Sequence, residues 1–320
     1  PPRRRAPGQG EIRAESLDPP GGSRALVRTL ASGISRGTES LVFAGRVPAS
    51  EQARMRCPFQ AGSFPFPVKY GYSAVGVVES GPAALVGRRV FALHPHQDRF
   101  VVPADALTPV PDEVPTTRAV LAANMETALN IAWDAAALPG ERVLVIGAGV
   151  VGLLAASLLS RIPAVSLTLV DADPGKADAA RALGLPFALP ETAPAGAELI
   201  VHASGAPAAL ARALGLAAFE GRIVEASWFG DRGVTLPLGE AFHSRRLRLI
   251  SSQVGAVAAP MRGRRSHAER LALALALLAD PAYDALLDGP SRFDDLPRTM
   301  ARLAQSPGVL CHVVSYTRSP

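Results

Sequence analysis

The spacing of apolar and polar positions divides the chain into two regimes. In the first third the apolar runs are short and are broken by Gly, Pro and charged residues. Residues 25–30 (ALVRTL), 70–79 (YGYSAVGVVE), 87–94 (GRRVFALH) and 99–103 (RFVVP) predict short strands, followed by a helix over about 118–136. Residues 31–39 (ASGISRGTE) read as a loop, and Pro48, Pro58, Pro65 and Pro67 make 47–67 irregular. Residues 1–24, rich in Pro, Gly and Arg, are expected to be partly disordered at the start. Beyond about 141 the rhythm becomes strand, helix, strand. Residues 143–146 (VLVI) form an unbroken aliphatic run, the pattern of a strand buried on both faces of a parallel sheet. A helix over 150–159 and a strand over 166–170 follow, then a helix near 175–183, a short strand near Phe187 and a strand over 198–202. A helix over 206–217 and strands over 221–225 and 247–251 complete the series. It predicts right-handed βαβ crossovers. A helix over 266–279 and a β-containing tail at 309–316 come last. The tail most economically returns to the first region. The fold class is therefore α/β: a Rossmann doubly wound parallel sheet, residues 118–253, inserted between the two halves, 1–117 and 254–320, of a β-rich domain.

Between the strand at 143–146 and its helix stand Gly147, Gly149 and Gly152, at GxGxxG spacing. The first lets the chain turn tightly, the second lets backbone approach a pyrophosphate, and the third lets helix pack on strand. The free N–H groups and positive dipole end of the helix beginning at Val150 and Val151 then face phosphates. The next strand ends in Asp171, about 20 residues further on, where a carboxylate accepts from a ribose 2′-OH and repels a 2′-phosphate. The motif predicts dinucleotide binding with NAD preferred over NADP. Asp173, just before Pro174, reads as a helix cap.

At 320 residues and 48 % hydrophobic, the chain has material for about two domains. The net charge of +5 comes almost wholly from arginine, with Lys69 and Lys176 the two lysines. No basic stretch carries interleaved aromatics, so nucleic acid is not an expected partner. The Ala/Leu-rich run 271–278 is too short to span a membrane, and the opening PPRRRAPGQG lacks an apolar core of the signal-peptide kind. Cys57 and Cys311 are expected to be free thiols in a reducing, cytoplasmic setting.

These residues resemble the medium-chain dehydrogenase/reductase superfamily, of alcohol dehydrogenase type, across nearly the whole chain. Residues 32–39 (SGISRGTE) are similar to its loop after the early strand. Gly71-Tyr72-Ser73 resembles its Gly-His-Glu turn, GAGVVG with Asp171 its cofactor fingerprint, and Ala203-Ser204-Gly205 the small-residue turn after its fourth cofactor-domain strand. The stretch GISRGTESLVFAGRVP is most similar to the branch that includes hydroxyethyl-bacteriochlorophyllide dehydrogenase. The resemblance implies a GroES-like β-rich catalytic domain, a small-molecule substrate and a homodimer. It also implies where catalytic zinc would sit, and there the chain departs from the pattern. The Cys position falls on Ser35 (Arg36 if the loop gains a residue), the His position on Tyr72 and the neighbouring Glu on Ser73. The later ligand falls within 123–127, where Glu126 is the candidate. Hydroxyls are poor Zn²⁺ ligands beside thiolate and imidazole, and two cysteines cannot build a four-cysteine structural site, so no zinc is expected.

Without a metal, a side chain or bound water must help with the hydroxyl proton. Tyr72 is the first candidate, its phenol pKa depressed if Lys69 lies nearby in space, although the ring can also simply fill vacated volume. Ser35 and Thr38 are candidate relays or loop caps, and Glu39 and Glu126 candidate bases. Glu126, near the start of a helix, can equally stabilise its dipole. His94 and His96, two apart, would share one face of a strand, with no third metal ligand evident. His243 is treated likewise, and His202, ending a core strand, reads as a satisfied interior ring. Arg245, Arg246, Arg248, Arg262, Arg264 and Arg265 are either solvated surface or an anion-binding rim. The expected activity is zinc-independent, NAD(H)-dependent hydride transfer between nicotinamide and a secondary alcohol or ketone, with an anionic or hydroxyethyl-bearing substrate in view. An enone or quinone reductase and a non-catalytic dinucleotide-binding protein are the alternatives.

Overall fold

The computed structural model describes residues 2–306 and 308–316. The chain forms two compact units, one from the residues up to Ala123 together with those from Leu271 onward, the other from Asn124–Arg270. The boundaries expected at 117/118 and 253/254 thus lie later along the chain at both ends. The reason is polar. Glu126, Asn130 and Asp134, on the helix Ala122–Ala135, hold Arg270, the backbone of Ala258 and Ser252, so helix and returning segment are one body.

The unit Asn124–Arg270 carries a six-stranded parallel sheet, with spatial order Phe187–Ala188, Ser166–Val170, Arg142–Ile146, Ala197–His202, Ala217–Glu225, Arg248–Ser251. Strand order reverses between Arg142–Ile146 and Ala197–His202, and open α/β sheets bind ligands at such a switch point, outside the carboxyl ends of the strands. Val143, Leu144, Val145, Leu169, Leu199, Ile200, Val201 and Val224 are almost completely buried. A continuous aliphatic run is what two covered faces require, and each such side chain contributes about 1.5–3 kcal/mol on burial.

In the other unit the long strand Arg24–Ser35 is the axis of a seven-stranded sheet. It pairs antiparallel with Ala74–Ser80, Arg99–Pro103 and the late strand Cys311–Ser315, which sets Cys311 opposite Ser35. The inserted arrangement is therefore built by strand pairing between the two ends of the chain. Several local expectations change. The loop expected at 31–39 is the end of that strand and the start of the helix Arg36–Phe43. Gly33 is close-packed there, with a Cβ placed on it lying 3.0 Å from the Val120 carbonyl oxygen, which a reading of glycine as a loop signal misses. The early segment is an antiparallel hairpin, Pro2–Ala6 with Gln9–Ile12, docked on Val68–Lys69. The helix expected over 118–136 is two, Thr116–Ala119 and Ala122–Ala135. The strand before His94 and His96 ends at Ala92, so the two rings do not share a strand face. The strand Leu287–Arg292 and the amphipathic helix Leu296–Ala304 carried no expectation. No helix among the described residues is long and apolar enough to cross a membrane.

Candidate functional site

The glycine cradle is assembled at the switch point. Gly147 has φ +111°, and a Cβ on it would lie 2.6 Å from the backbone nitrogen of Ser204. A side chain here would strain the turn and push away the Ala203-Ser204 turn of the neighbouring strand. Gly152 would place a Cβ 1.8 Å from the Gly147 carbonyl oxygen, so the helix Val150–Leu159 rests directly on the turn. Gly149 is different. Its φ is −73°, open to any residue, and a Cβ there meets nothing within 4 Å. Neither backbone nor packing calls for glycine. Gly149 is also the helix N-cap, and no side chain caps it. Ser, Thr, Asp or Asn would ordinarily accept from the first N–H groups. A helix start without a side-chain acceptor suits an anion in that place.

Asp171 stands beside this opening. Its Oδ2 accepts from Ala148 N at 2.6 Å and its Oδ1 from Asp173 N at 2.9 Å. Each oxygen keeps a lone pair for a hydroxyl, and backbone fixes the carboxylate's orientation. Asp173 caps the following turn, accepting from Gly175 N at 2.9 Å. Gly149→Ala separates ligand from protein requirements. Its stability to urea should stay within about 0.5 kcal/mol of wild type, or rise. Dinucleotide affinity should fall about tenfold or more, because the Cβ enters the phosphate path. Equal loss of both would show that the glycine serves the fold.

The unit built on Arg24–Ser35 gathers a second constellation. Tyr72, on the turn before Ala74–Ser80, is hydrogen-bonded to the hydroxyls of Ser35 and Thr38. Strand end, helix start and turn bring these three expected residues together. Burial first, then the negative charge of Glu39, raises the Tyr72 pKa, and the bonds from Ser35 and Thr38 offset this only in part. The expected depression by Lys69 is absent. Lys69 Nζ is engaged by Glu15 Oε2 at 2.9 Å and Gln97 Oε1 at 3.1 Å. Tyr72 thus holds its proton through neutral pH.

Glu39 is fully buried, and its Oε2 lies 3.0 Å from His96 Nε2 while Oε1 accepts from Ser35 N. His96 Nδ1 meets Ser32 Oγ at 2.7 Å, and Ser32 Oγ meets the Tyr316 hydroxyl at 3.0 Å. The linked chain from Ser35 through Glu39 and His96 to Tyr316 was not legible beforehand, because its members come from three separated stretches. Cys311 lies against it, and burial, with Glu39, pushes its thiol up to about 12. His94 is apart, stacked on Phe100 at 3.9 Å, and burial lowers its pKa to about 3.

Glu126 is not in this cluster. It is buried in the Asn124–Arg270 unit, where Arg270 Nε binds its Oε1 at 3.1 Å, although burial still raises its pKa. The arginines are surface groups. Arg245 donates to the Gly215 and Ala217 carbonyls, Arg246 pairs with Glu220, and Arg248, Arg262, Arg264 and Arg265 are exposed, as is His243. Among the described residues no three His, Cys, Asp or Glu side chains converge as a metal site.

No family model matches the chain. An uncharacterized zinc-type alcohol dehydrogenase-like protein of Haemophilus influenzae is 31 % identical over 138 residues, 39 % of this chain and 40 % of that protein. The chain therefore matches about two fifths of the length of this curated relative. Similar solved structures include L-idonate 5-dehydrogenase of Escherichia coli, with TM-score 0.79 and 14 % identity over 98 % of both chains. A short chain alcohol dehydrogenase of E. coli CFT073 complexed with NADH has TM-score 0.77 and 17 % identity over 98 % of both chains. A Sinorhizobium meliloti protein described as a zinc-binding dehydrogenase, bound to NADP, has TM-score 0.78 and 18 % identity over 98 % of both chains. At such identities the likeness establishes the architecture. The fold is the alcohol dehydrogenase-like one, a Rossmann sheet with a GroES-like β domain.

Proposed function

We propose that the protein is an NAD(H)-dependent oxidoreductase of the medium-chain type, acting on a secondary alcohol or ketone without zinc. The observation that carries the cofactor half is Gly149, a glycine that the protein itself does not need, at an uncapped helix start. NAD(H), when bound, supplies or takes up the hydride. Asp171 supports the unphosphorylated coenzyme, since a carboxylate accepts a hydroxyl and repels a phosphate.

The zinc-free half rests on donor chemistry. Ser35, Thr38 and Tyr72 present hydroxyls, Glu39 is committed to His96 and the Ser35 backbone, and burial keeps the Cys311 thiol protonated. That set does not fit Zn²⁺, which takes thiolate, imidazole and carboxylate. Tyr72 is instead the proton donor to the carbonyl oxygen in the reducing direction, and Ser35 and Thr38 orient its hydroxyl. Glu39, His96, Ser32 and Tyr316 form a hydrogen-bonded line along which charge at the site can be balanced. A small-molecule substrate and a homodimer complete the proposal.

Purified protein is titrated with NADH and NADPH and then assayed against panels of ketones, secondary alcohols, enones and quinones. NADH should bind at least about tenfold tighter than NADPH, and ketone reduction should survive removal of metal by chelation. Enone or quinone reduction without alcohol oxidation would move the assignment to a reductase. Binding without any turnover would leave a dinucleotide-binding protein, and no binding at all would end the proposal.

A further inference from the structure

His202 closes the strand Ala197–His202, opposite Glu225 in register, and is fully buried. Its Nδ1 lies 2.7 Å from Glu225 Oε2 and 3.2 Å from Ser227 Oγ, and its Nε2 lies 2.7 Å from Ser204 Oγ. Ser227 N donates to Glu225 Oε1 at 2.6 Å, so both oxygens of that carboxylate are engaged. A core histidine needs only satisfied nitrogens. This one passes its hydrogen bonding on to the exposed Ser204, at the carboxyl ends of the strands and against Gly147.

The chain of bonds has a direction. A carboxylate can only accept, so Nδ1 carries the hydrogen. With its hydrogen at Nδ1, the ring accepts at Nε2, and the Ser204 hydroxyl points its hydrogen inward. Ala206 N donates to one lone pair of Ser204 Oγ at 3.1 Å. The other lone pair faces outward, so Ser204 meets a ligand as an acceptor.

Its place in the sheet says which ligand group that is. A dinucleotide lies across the switch point, one nucleotide over each half, with its pyrophosphate at the helix start between them. Asp171 takes the adenosine ribose on one side. Ser204 belongs to the other half, where the second nucleoside must lie. We propose that Ser204, oriented by His202 and Glu225, is a built acceptor for a hydroxyl of the nicotinamide-side ribose. This rests on the dinucleotide reading above and adds a named recognition element to it.

The test is a double cycle of binding. Dissociation constants are measured for wild type and Ser204→Ala with NADH and with its analogues lacking the 2′- or the 3′-hydroxyl of the nicotinamide ribose. Wild type should lose about two- to tenfold with one analogue, the worth of one hydrogen bond. Ser204→Ala should lose a similar factor with NADH and nothing further with that analogue. Glu225→Gln offers an N–H to Nδ1, favours the opposite tautomer and turns Ser204 into an outward donor. The discrimination between NADH and the analogue should shrink accordingly, with the side-chain shape kept. If Ser204→Ala binds NADH as wild type does, or shows the same analogue penalty, the inference fails while dinucleotide binding stands. If wild type takes up no dinucleotide, both fail together.

Discussion

Tyr72→Phe is expected to lower kcat for ketone reduction by about 10²–10⁴-fold, the usual contribution of a positioned proton donor. KM should move little, because the ring and its packing remain. The variant loses only the hydroxyl to which Ser35 and Thr38 bond. Its folding stability should therefore fall by about 1 kcal/mol, the net worth of such bonds. The proton donor of the reducing direction is the proton acceptor of the oxidising one, so kcat/KM should fall by the same factor in both directions. Steady-state kinetics on Tyr72→Phe and on Thr38→Val separate the roles. The donor should cost far more than the residue that orients it. A Tyr72→Phe enzyme with unchanged kcat would remove Tyr72 from the chemistry and leave it as packing.

The second large effect is on stability. Arg270 is 1 % exposed and ties together Glu126 Oε1, Asn130 Oδ1 and the carbonyls of Val254 and Ala256. Arg270→Met leaves Glu126 buried without its counter-charge, and removing one partner of a buried pair costs about 3–5 kcal/mol. Urea denaturation followed by a probe in the Asn124–Arg270 unit should show that loss. Arg270→Met combined with Glu126→Leu should recover much of it, because an apolar pair restores compensation. The same experiment decides what Glu126 is for. Glu126 itself pairs with Arg270, while Asn130 and Asp134 of the same helix hold Ala258 and Ser252, so a part in anchoring that helix predicts a stability loss. A single variant as stable as wild type would show that the ladder is incidental.

Much of the Asn124–Arg270 unit was legible because its signals are local. A parallel strand buried on both faces must read as an aliphatic run, so 143–146 and 166–170 announced themselves. Gly147 and Gly152 are glycines for reasons a few residues away, a turn and the helix resting on it. The other unit was harder. Its axis, Arg24–Ser35, contains Ser32, Gly33 and Ser35, residues that favour loops when taken one at a time. What makes them a strand is pairing with Cys311–Ser315 from the far end of the chain. The two-residue spacing of His94 and His96 misled for a related reason, since the strand that would have aligned them stops at Ala92.

By itself the sequence determined the alternation of strand and helix from about 141 to 251, the glycine turn with its aspartate, and the absence of thiolate and imidazole where the resemblance puts catalytic zinc. All of these follow from residue type at short spacing. Only the tertiary structure decided that Tyr72 is held by Ser35 and Thr38 and not by Lys69, that Glu126 belongs to Arg270, and that His202 joins Glu225 to Ser204. Those partners lie tens to hundreds of residues apart or hang on the register of neighbouring strands. Hydrogen bonding acts over about 3 Å of space, whatever the distance along the chain.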